Sequence, residues 1–382
     1  MSIWHLALPM SGFAILAATI SITARAETPG HQRPLQVEQT AAQHRALEQR
    51  LDSYIRSEMR QHHIVGLSLA IVRAGAVVEA KGYGFANLET RTPATAETVY
   101  KIGSISKQFL ASGIMLLVKD GKLSLDDPVN QFLEGAPQSW SAITVRELLT
   151  HTSGLAAQRP EDDPPGFEPY QMQSEADLIR RNYSMPLEFT PGQKWRYSNL
   201  GYFVVAEIIS KASGMPWSEY LAARLFAPAG MSATRVTSTK AIVPHRANGY
   251  ILEDGRLQNA ASWIAVRPSG AFLSNVLDIA RWDAVLYSDR ILTSSMRERM
   301  WTPVRLADGT TYPYGFGWSL DSWHGHRRVD HNGGTPGFLC DFERFVDDQL
   351  AVIVLMNTSS GDPQEIALAV ADLYERKKGM LD

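Results

Sequence analysis

The 382-residue chain holds a single cysteine, Cys340. One thiol can make neither an internal disulfide nor a cysteine-rich zinc site. Excess positive charge is missing too: 37 Lys and Arg stand against 40 Asp and Glu, a formal net charge of −3. Such a balance leaves no electrostatic footprint for nucleic acid. Disorder is excluded, because 45% of the residues are hydrophobic and only 20% are charged, which is enough apolar material for a large core. There is no internal repeat, and beyond the first 26 residues no stretch is long and apolar enough to cross a bilayer. Gly82-x-Gly84 lacks the third glycine and the following helix of a dinucleotide site. No cofactor is expected.

An apolar stretch runs from Leu6 to Ile22, interrupted by Pro9, Ser11, Gly12, Thr19 and Ser21. Ala24-Arg25-Ala26 follows as an A-x-A cleavage pattern, and Thr28-Pro29-Gly30 breaks any helix. The pattern predicts a signal peptide over 1–26, although no Lys or Arg precedes the apolar run and there is no twin arginine. An uncleaved anchor is the competing reading. The mature protein is expected in a periplasm or outside the cell, without stable membrane insertion. Residues 27–37 read as a flexible leader.

From Glu38 to His63 the pattern is helical, with Leu47, Leu51, Tyr54, Ile55 and Met59 on one face. Val65–Arg73 and Ala76–Gly82 read as strands around Ala74-Gly75. Residues 93–243 are mostly helical, with many Gly and Pro breaks. Strand patterns return at Tyr314–Leu320, Arg327–His331, Phe338–Val346 and Leu350–Asn357. The last is continuously apolar, as for a strand covered on both faces. Residues 363–377 form a closing amphipathic helix. The predicted class is α+β: an antiparallel sheet built from both chain ends (38–92 and 260–382), flanked by N- and C-terminal helices, with a mostly helical region (93–259) inserted. Together these make one domain over about 45–375. The acidic, Pro-rich Arg159–Pro169 segment is expected to be a rigid exposed loop.

Three short constellations could carry chemistry. Ser104-Ile105-Ser106-Lys107 opens a helical run, so Ser104 sits at a helix N-terminus with Lys107 one turn on and on the same face. Free N–H groups there favour a developing oxyanion. Tyr197-Ser198-Asn199 precedes another helix, and Tyr197 and Asn199 can face one cleft from an extended stretch. His331-Asn332-Gly333-Gly334 ends a predicted strand, which places His331 and Gly333 on one face. A glycine there suits close approach of another backbone, and a substrate could add as a further strand. Taken singly, each has a plainer reading: a capping serine with a surface lysine, a second cap, and a turn. Ser68 lies inside a strand pattern and reads as structural. His324-Gly325-His326 has no carboxylate or cysteine at ligand spacing, so no metal is expected.

The motifs S-x-x-K, Y-S-N and H-x-G occur in that order, roughly 90 and 130 residues apart. This arrangement resembles the serine β-lactamase and penicillin-recognising superfamily, and within it the class C-like serine hydrolases: class C β-lactamases, D-aminopeptidases, D-stereospecific carboxypeptidases and esterases. The likeness extends to Gly82–Asn87, Leu148–Leu155, Pro191–Tyr202, Gly270–Trp282 and Tyr314–Trp318. It implies a β-lactamase-like fold and hydrolysis of a small-molecule ester, amide (a β-lactam included) or peptide through an acyl-enzyme on Ser104. Lys107 and Tyr197 would share the acid–base work, with either as the first base. Their reference pKa values lie near 10.4 and 10, so bringing either to ~7–8 takes about 3–4 kcal/mol of differential interaction. Asn199 would orient Lys107, and the amides of Ser104 and Gly334 would form the oxyanion hole. His331 and Gly333 would border the substrate. His331 stands where class C β-lactamases carry a lysine, and a neutral histidine is a poor partner for a substrate carboxylate. A D-amino-acid peptidase or D,D-carboxypeptidase, and a non-catalytic binding protein on the same scaffold, are the alternatives.

Overall fold

The computed structural model describes residues 32–156, 166, 168, 170–262 and 264–375, with the backbone alone over 32–41. The expected signal peptide and most of the Arg159–Pro169 loop lie outside the described residues. The described residues divide into two units, one ending at Glu48 and the other beginning at Gln49. Helix α1 spans Gln32–Gln61. The leader expected to reach residue 37 therefore gives way to helix at Gln32, since the one breaker there, Pro34, falls in the first turn, where proline is tolerated. No described helix is long and apolar enough to cross a membrane.

The large sheet takes its strands from both ends of the chain. They are β1 (Gly66–Arg73), β2 (Ala76–Asn87) and β3 (Thr92–Pro93), then β7 (Ser319–Trp323), β8 (His326–Thr335), β9 (Phe338–Phe345) and β10 (Leu350–Met356). Their order is β7-β8-β9-β10-β1-β2-β3, antiparallel throughout. All seven residues of β10 are buried. Helix α5 (Val276–Val285) and the closing helix α6 (Pro363–Glu375) both pack against it. That double cover explains its unbroken apolar sequence.

One strand expectation needs correction. Tyr314–Leu320 was expected to be extended, yet regular pairing starts only at Ser319. Gly317 takes φ 75°, and a Cβ there would lie 2.8 Å from the Lys107 carbonyl oxygen. The segment bends because it must pass over the start of α2 (Ser106–Lys119).

The inserted region contains α2, α3 (Val145–Leu149) and α4 (Asn199–Ser213). A small sheet of β4 (Tyr100–Lys101), β6 (Phe272–Ser274) and β5 (Arg235–Val236) leads the chain into α2. Phe109 of α2 meets Phe226, Phe272 and Trp282 edge-on, with ring centroids 5.1, 5.6 and 5.4 Å away. Such pairs contribute about 0.5–1.5 kcal/mol each beyond burial. They hold α2, and with it the residues at its start, in one position.

Candidate active site

Ser104 sits in a single 3-10 turn, Gly103–Ile105, that runs straight into α2. Backbone crowding fixes this turn against β8. A Cβ on Gly333 would lie 2.1 Å from the Ile102 carbonyl oxygen and 3.1 Å from the Ser104 nitrogen. Gly103 has φ 50°, and a Cβ on it would lie 2.6 Å from the Gly334 nitrogen. Glycine at 103 and 333 therefore lets two backbones touch, and the amides of Ser104 and Gly334 come to the same gap. Cys340, opposite Gly333 in the sheet, is buried; its Sγ donates to the Lys101 carbonyl at 3.2 Å, and burial pushes its thiol pKa up. It is a packing residue.

Four expected residues meet at Ser104 Oγ and its neighbour. Lys107 Nζ lies 3.0 Å from Ser104 Oγ, and the Tyr197 hydroxyl donates to the same oxygen at 2.8 Å. Lys107 is fully buried and also donates to Asn199 Oδ1 (2.9 Å) and to the Ser269 carbonyl (3.0 Å). Its Nζ stands 4.6 Å from the centre of the Tyr197 ring and 5.4 Å from that of Tyr202. Asn199 is the first residue of α4, and Ser198 caps that helix by accepting from Gly201 N at 3.2 Å. The capping reading and the clustering are thus both true. A helix start aims Asn199 at Lys107, and the extended cap residue, Ser198, places Tyr197 before it.

His331 and Gly333 face inward from β8, whereas Gly334 is exposed. Residues Arg328–Asp330 pair with β7 on one side and β9 on the other, but the run from His331 to Thr335 pairs with β9 alone. The strand has an open edge beside Ser104.

A buried chain of hydrogen bonds runs behind Tyr197. Ser198 N–H donates to His151 Nδ1 (3.1 Å), His151 Nε2 meets the Tyr314 hydroxyl (3.3 Å), that hydroxyl meets His331 Nε2 (2.9 Å), and His331 Nδ1 meets the Asn332 carbonyl (2.6 Å). The ends fix the direction, since an amide N–H only donates and a carbonyl only accepts. His151 then carries its proton on Nε2 and His331 on Nδ1, both rings neutral. Electrostatics agree. Burial first, then the Lys107 ammonium, lowers the His331 pKa to about 3; the same two causes, in the same order, hold His151 well below its usual value. Burial likewise raises the Tyr314 and Tyr202 phenols well above theirs, so both stay protonated. His151 has φ 61°, a left-handed conformation costing about 1–3 kcal/mol in a non-glycine residue. That backbone puts its ring 4.3 Å from the ring of Tyr197.

On the His331 side lies a cleft of about 430 Å³, lined by Trp195, Tyr197, Tyr312, Tyr314 and, further along, Asp330 and Arg328. Trp195 and Tyr312 stack face to face, 4.0 Å apart. Two groups of side chains among the described residues have the spacing for a cation: His326 with Asp348 and Glu375, and Asp330 with Asp341 and Glu343. Neither includes a residue expected to act. Ser68 donates to the Thr95 carbonyl (2.7 Å) and bonds to the Tyr100 hydroxyl (2.8 Å), a structural role.

Sequence reasoning did not single out His151, Tyr314 or the Ser269 carbonyl. The first two fall inside flanks noted only for their likeness, Leu148–Leu155 and Tyr314–Trp318. A backbone carbonyl leaves no side-chain signal at all.

Comparison with known proteins gives consistent matches. The family model described as Beta-lactamase matches residues 51–375. Penicillin-binding protein 4* of Bacillus subtilis is 31% identical over 333 residues, 81% of this chain and 72% of that protein. A D-aminopeptidase of Brucella anthropi is 29% identical over 336 residues, 85% of this chain; the match spans only 62% of that enzyme's length. Among solved structures, the octameric penicillin-binding protein homologue from Pyrococcus abyssi superposes with a TM-score of 0.75 at 31% identity, covering 85% of this chain and 76% of that one.

Proposed function

Because the chain belongs to the β-lactamase family of serine hydrolases, we propose that it cleaves an ester or amide bond through an acyl-enzyme on Ser104. The observation that carries this reading is the pair of groups, Lys107 Nζ at 3.0 Å and Tyr197 OH at 2.8 Å, bonded to one serine oxygen.

We assign the role of first base to Lys107, a reading that its hydrogen-bond partners support. Asn199 Oδ1 and the Ser269 carbonyl are acceptors, so two N–H bonds of a neutral amine are spoken for. In the resting ammonium Lys107 Nζ donates to Ser104 Oγ as well, and loss of that proton would turn a lone pair toward the serine oxygen. Ser104 attacks the carbonyl carbon and passes its proton to Lys107. The new oxyanion receives the amides of Ser104 and Gly334. Tyr197 gives its hydroxyl proton to the leaving oxygen or nitrogen and recovers one from Lys107 by way of the vacated position. Water then attacks the acyl carbon by the reverse proton route and releases Ser104.

A neutral His331 bears on the substrate. Beside the leaving group it offers no cation, and Arg328 is engaged by Asp321 (3.2 Å) and Glu343 (3.4 Å). A carboxylate next to the scissile bond, as in a D,D-carboxypeptidase substrate, finds no free cation at that position among the described residues. An esterase, amidase or aminopeptidase reading fits better, and the likeness to a D-aminopeptidase supports it. We further propose that the chain is exported, on the strength of Ala24-Arg25-Ala26 after the apolar run.

Mass spectrometry after a fluorescent phosphonate or penicillin probe tests the nucleophile: the adduct maps to Ser104 and is absent from Ser104→Ala. Equal labelling of the two proteins removes the assignment. Lys107→Ala is expected to lower turnover by about 10²–10⁴-fold.

A further inference from the structure

Two cavities share one wall, the side chain of Lys101. A small pocket adjoins Gly270 and Thr335, and a wider groove of about 460 Å³ is bordered by Arg246, Asn248, Glu89 and Phe338. Both lie close to Ser104 along the backbone. Lys101 is three residues before it, and Thr335 follows Gly334 on the open edge of β8. A Cβ on Gly270 would be 3.4 Å from the Gly103 carbonyl carbon.

Two polar groups there, the Lys101 ammonium and the Thr335 hydroxyl, lack a hydrogen-bond partner among the described residues. Among the described residues the Lys101 ammonium has no hydrogen bond and no carboxylate partner; it stands 5.7 Å over the Phe338 ring. Thr335 Oγ1 is buried without a hydrogen-bond partner. Arg246 lines the groove with one nitrogen bonded to the Ser238 carbonyl (2.8 Å), and Arg267 lines the small pocket. The one carboxylate among the groove's described residues, Glu89, accepts from Asn259 Nδ2 at 2.8 Å. Burial and the neighbouring Arg246 lower the Lys101 pKa to about 8, which leaves it mostly charged at pH 7. A half-buried cation next to an orphan hydroxyl gains most from an anionic oxygen.

The direction of the substrate follows from the hydrolase reading, on which this inference rests. Tyr197 protonates the leaving group, so the leaving group lies toward His331. The acyl part then runs the other way, past Gly334 to Thr335. We propose that Lys101 and Thr335 form a subsite for a carboxylate carried on the acyl part of the substrate, so that the enzyme prefers esters and amides of dicarboxylic acids. The leaving-group end presents aromatic rings and a neutral His331 beside Ser104; the acyl end presents the Lys101 cation.

The test compares 4-nitrophenyl hexanoate with the mono-4-nitrophenyl ester of adipic acid, of equal chain length, on the full chain at pH 7. The expected kcat/KM ratio favours the adipate by about tenfold, the size of one partly screened ion pair. In Lys101→Met and Lys101→Gln the ratio falls to about one, through a higher KM for the adipate. Lys101→Arg keeps the preference. A trimethylammonium-tipped ester of the same length is turned over less well than the hexanoate. A wild-type ratio near one, with Ser104-dependent turnover of the hexanoate, overturns the subsite alone, and this comparison needs no variant to fold. An unchanged ratio in folded Lys101→Met also overturns it. If wild type forms no Ser104 adduct and cleaves neither ester, the hydrolase reading fails and the subsite with it.

Discussion

His331 Nε2 and the Tyr314 hydroxyl lie 2.9 Å apart, and with the Asn332 carbonyl on the opposite ring nitrogen this contact holds His331 in one neutral tautomer. The residue at the third motif therefore acts as an uncharged, oriented wall beside Tyr197, 6.3 Å from it between ring centres. The same hydroxyl ties His331 to His151, so one phenol organises two buried imidazoles.

Tyr314→Phe tests that link. The ring and its packing remain, but His331 Nε2 and His151 Nε2 lose their shared partner. Two buried polar atoms left unsatisfied destabilise the protein by about 1–3 kcal/mol each. Thermal unfolding should show a lower Tm, and kcat should fall more than KM rises because the wall beside Tyr197 loosens. Wild-type Tm and kcat in this variant would disprove the relay.

Gly333→Ala tests the backbone contact beneath Ser104. Its Cβ would sit 2.1 Å from the Ile102 carbonyl oxygen, so either β8 or the Ser104 turn must move. Displacing one oxyanion donor costs about 10²–10³-fold in kcat in hydrolases of this kind. Stopped-flow acylation with a chromogenic ester measures the loss. Near-normal acylation would mean that the Gly334 amide takes no part.

Acid stability depends on the neutral histidines. An unfolded histidine titrates near 6.5, whereas folded His331 does so at about 3, so the unfolded chain binds more protons between those values. Stability is complete above about 6.5 and is lost as pH falls toward 3, by up to about 1.4 kcal/mol per pH unit for each such group. His151 contributes in the same direction. Urea unfolding of His331→Gln across pH 4–7 should show a shallower dependence than wild type. Parallel curves would rule out a buried neutral His331.

Three acids on the sheet have the opposite sign. Asp330, Asp341 and Glu343 crowd within 4.8 Å, with Gln364 donating to Glu343 (3.0 Å) and Asp330 (3.3 Å). Asp341 and Glu343 are close enough for one carboxyl, when protonated, to hydrogen-bond the other. Burial, then the neighbouring carboxylates, raises the Asp341 pKa well above the usual range, and Glu343 is pushed up to about 8, again chiefly by burial. Folded-state protonation therefore favours stability below about pH 4, and that contribution is lost as pH rises toward 8. Asp341→Asn should raise Tm at pH 8 by about 2–5 °C and change it little at pH 4. A lower Tm at pH 8 would contradict this and indicate that the charged trio is compensated.

The sheet was legible from the chain because its signals are local. β10 is apolar at every position, as a strand covered on both faces must be. Ser104 and Lys107 share a helix face, a spacing of three that needs no tertiary information. The bend at Gly317 was not legible, since its cause is the carbonyl of Lys107, far away in the sequence.

Sequence by itself determined which residue types stand together in short motifs, where the chain alternates, and that the balance of charge offers nothing to nucleic acid. Tertiary structure alone decided what those residues do to one another. It set Asn199 and the Ser269 carbonyl around Lys107, made His331 neutral by burying it near an ammonium, and left Lys101 with no carboxylate partner among the described residues. The physical reason is the same in each case. Hydrogen bonds and fields act over a few ångströms in space, and residues such as Lys107 and Ser269, 162 positions apart, come within that range only after folding.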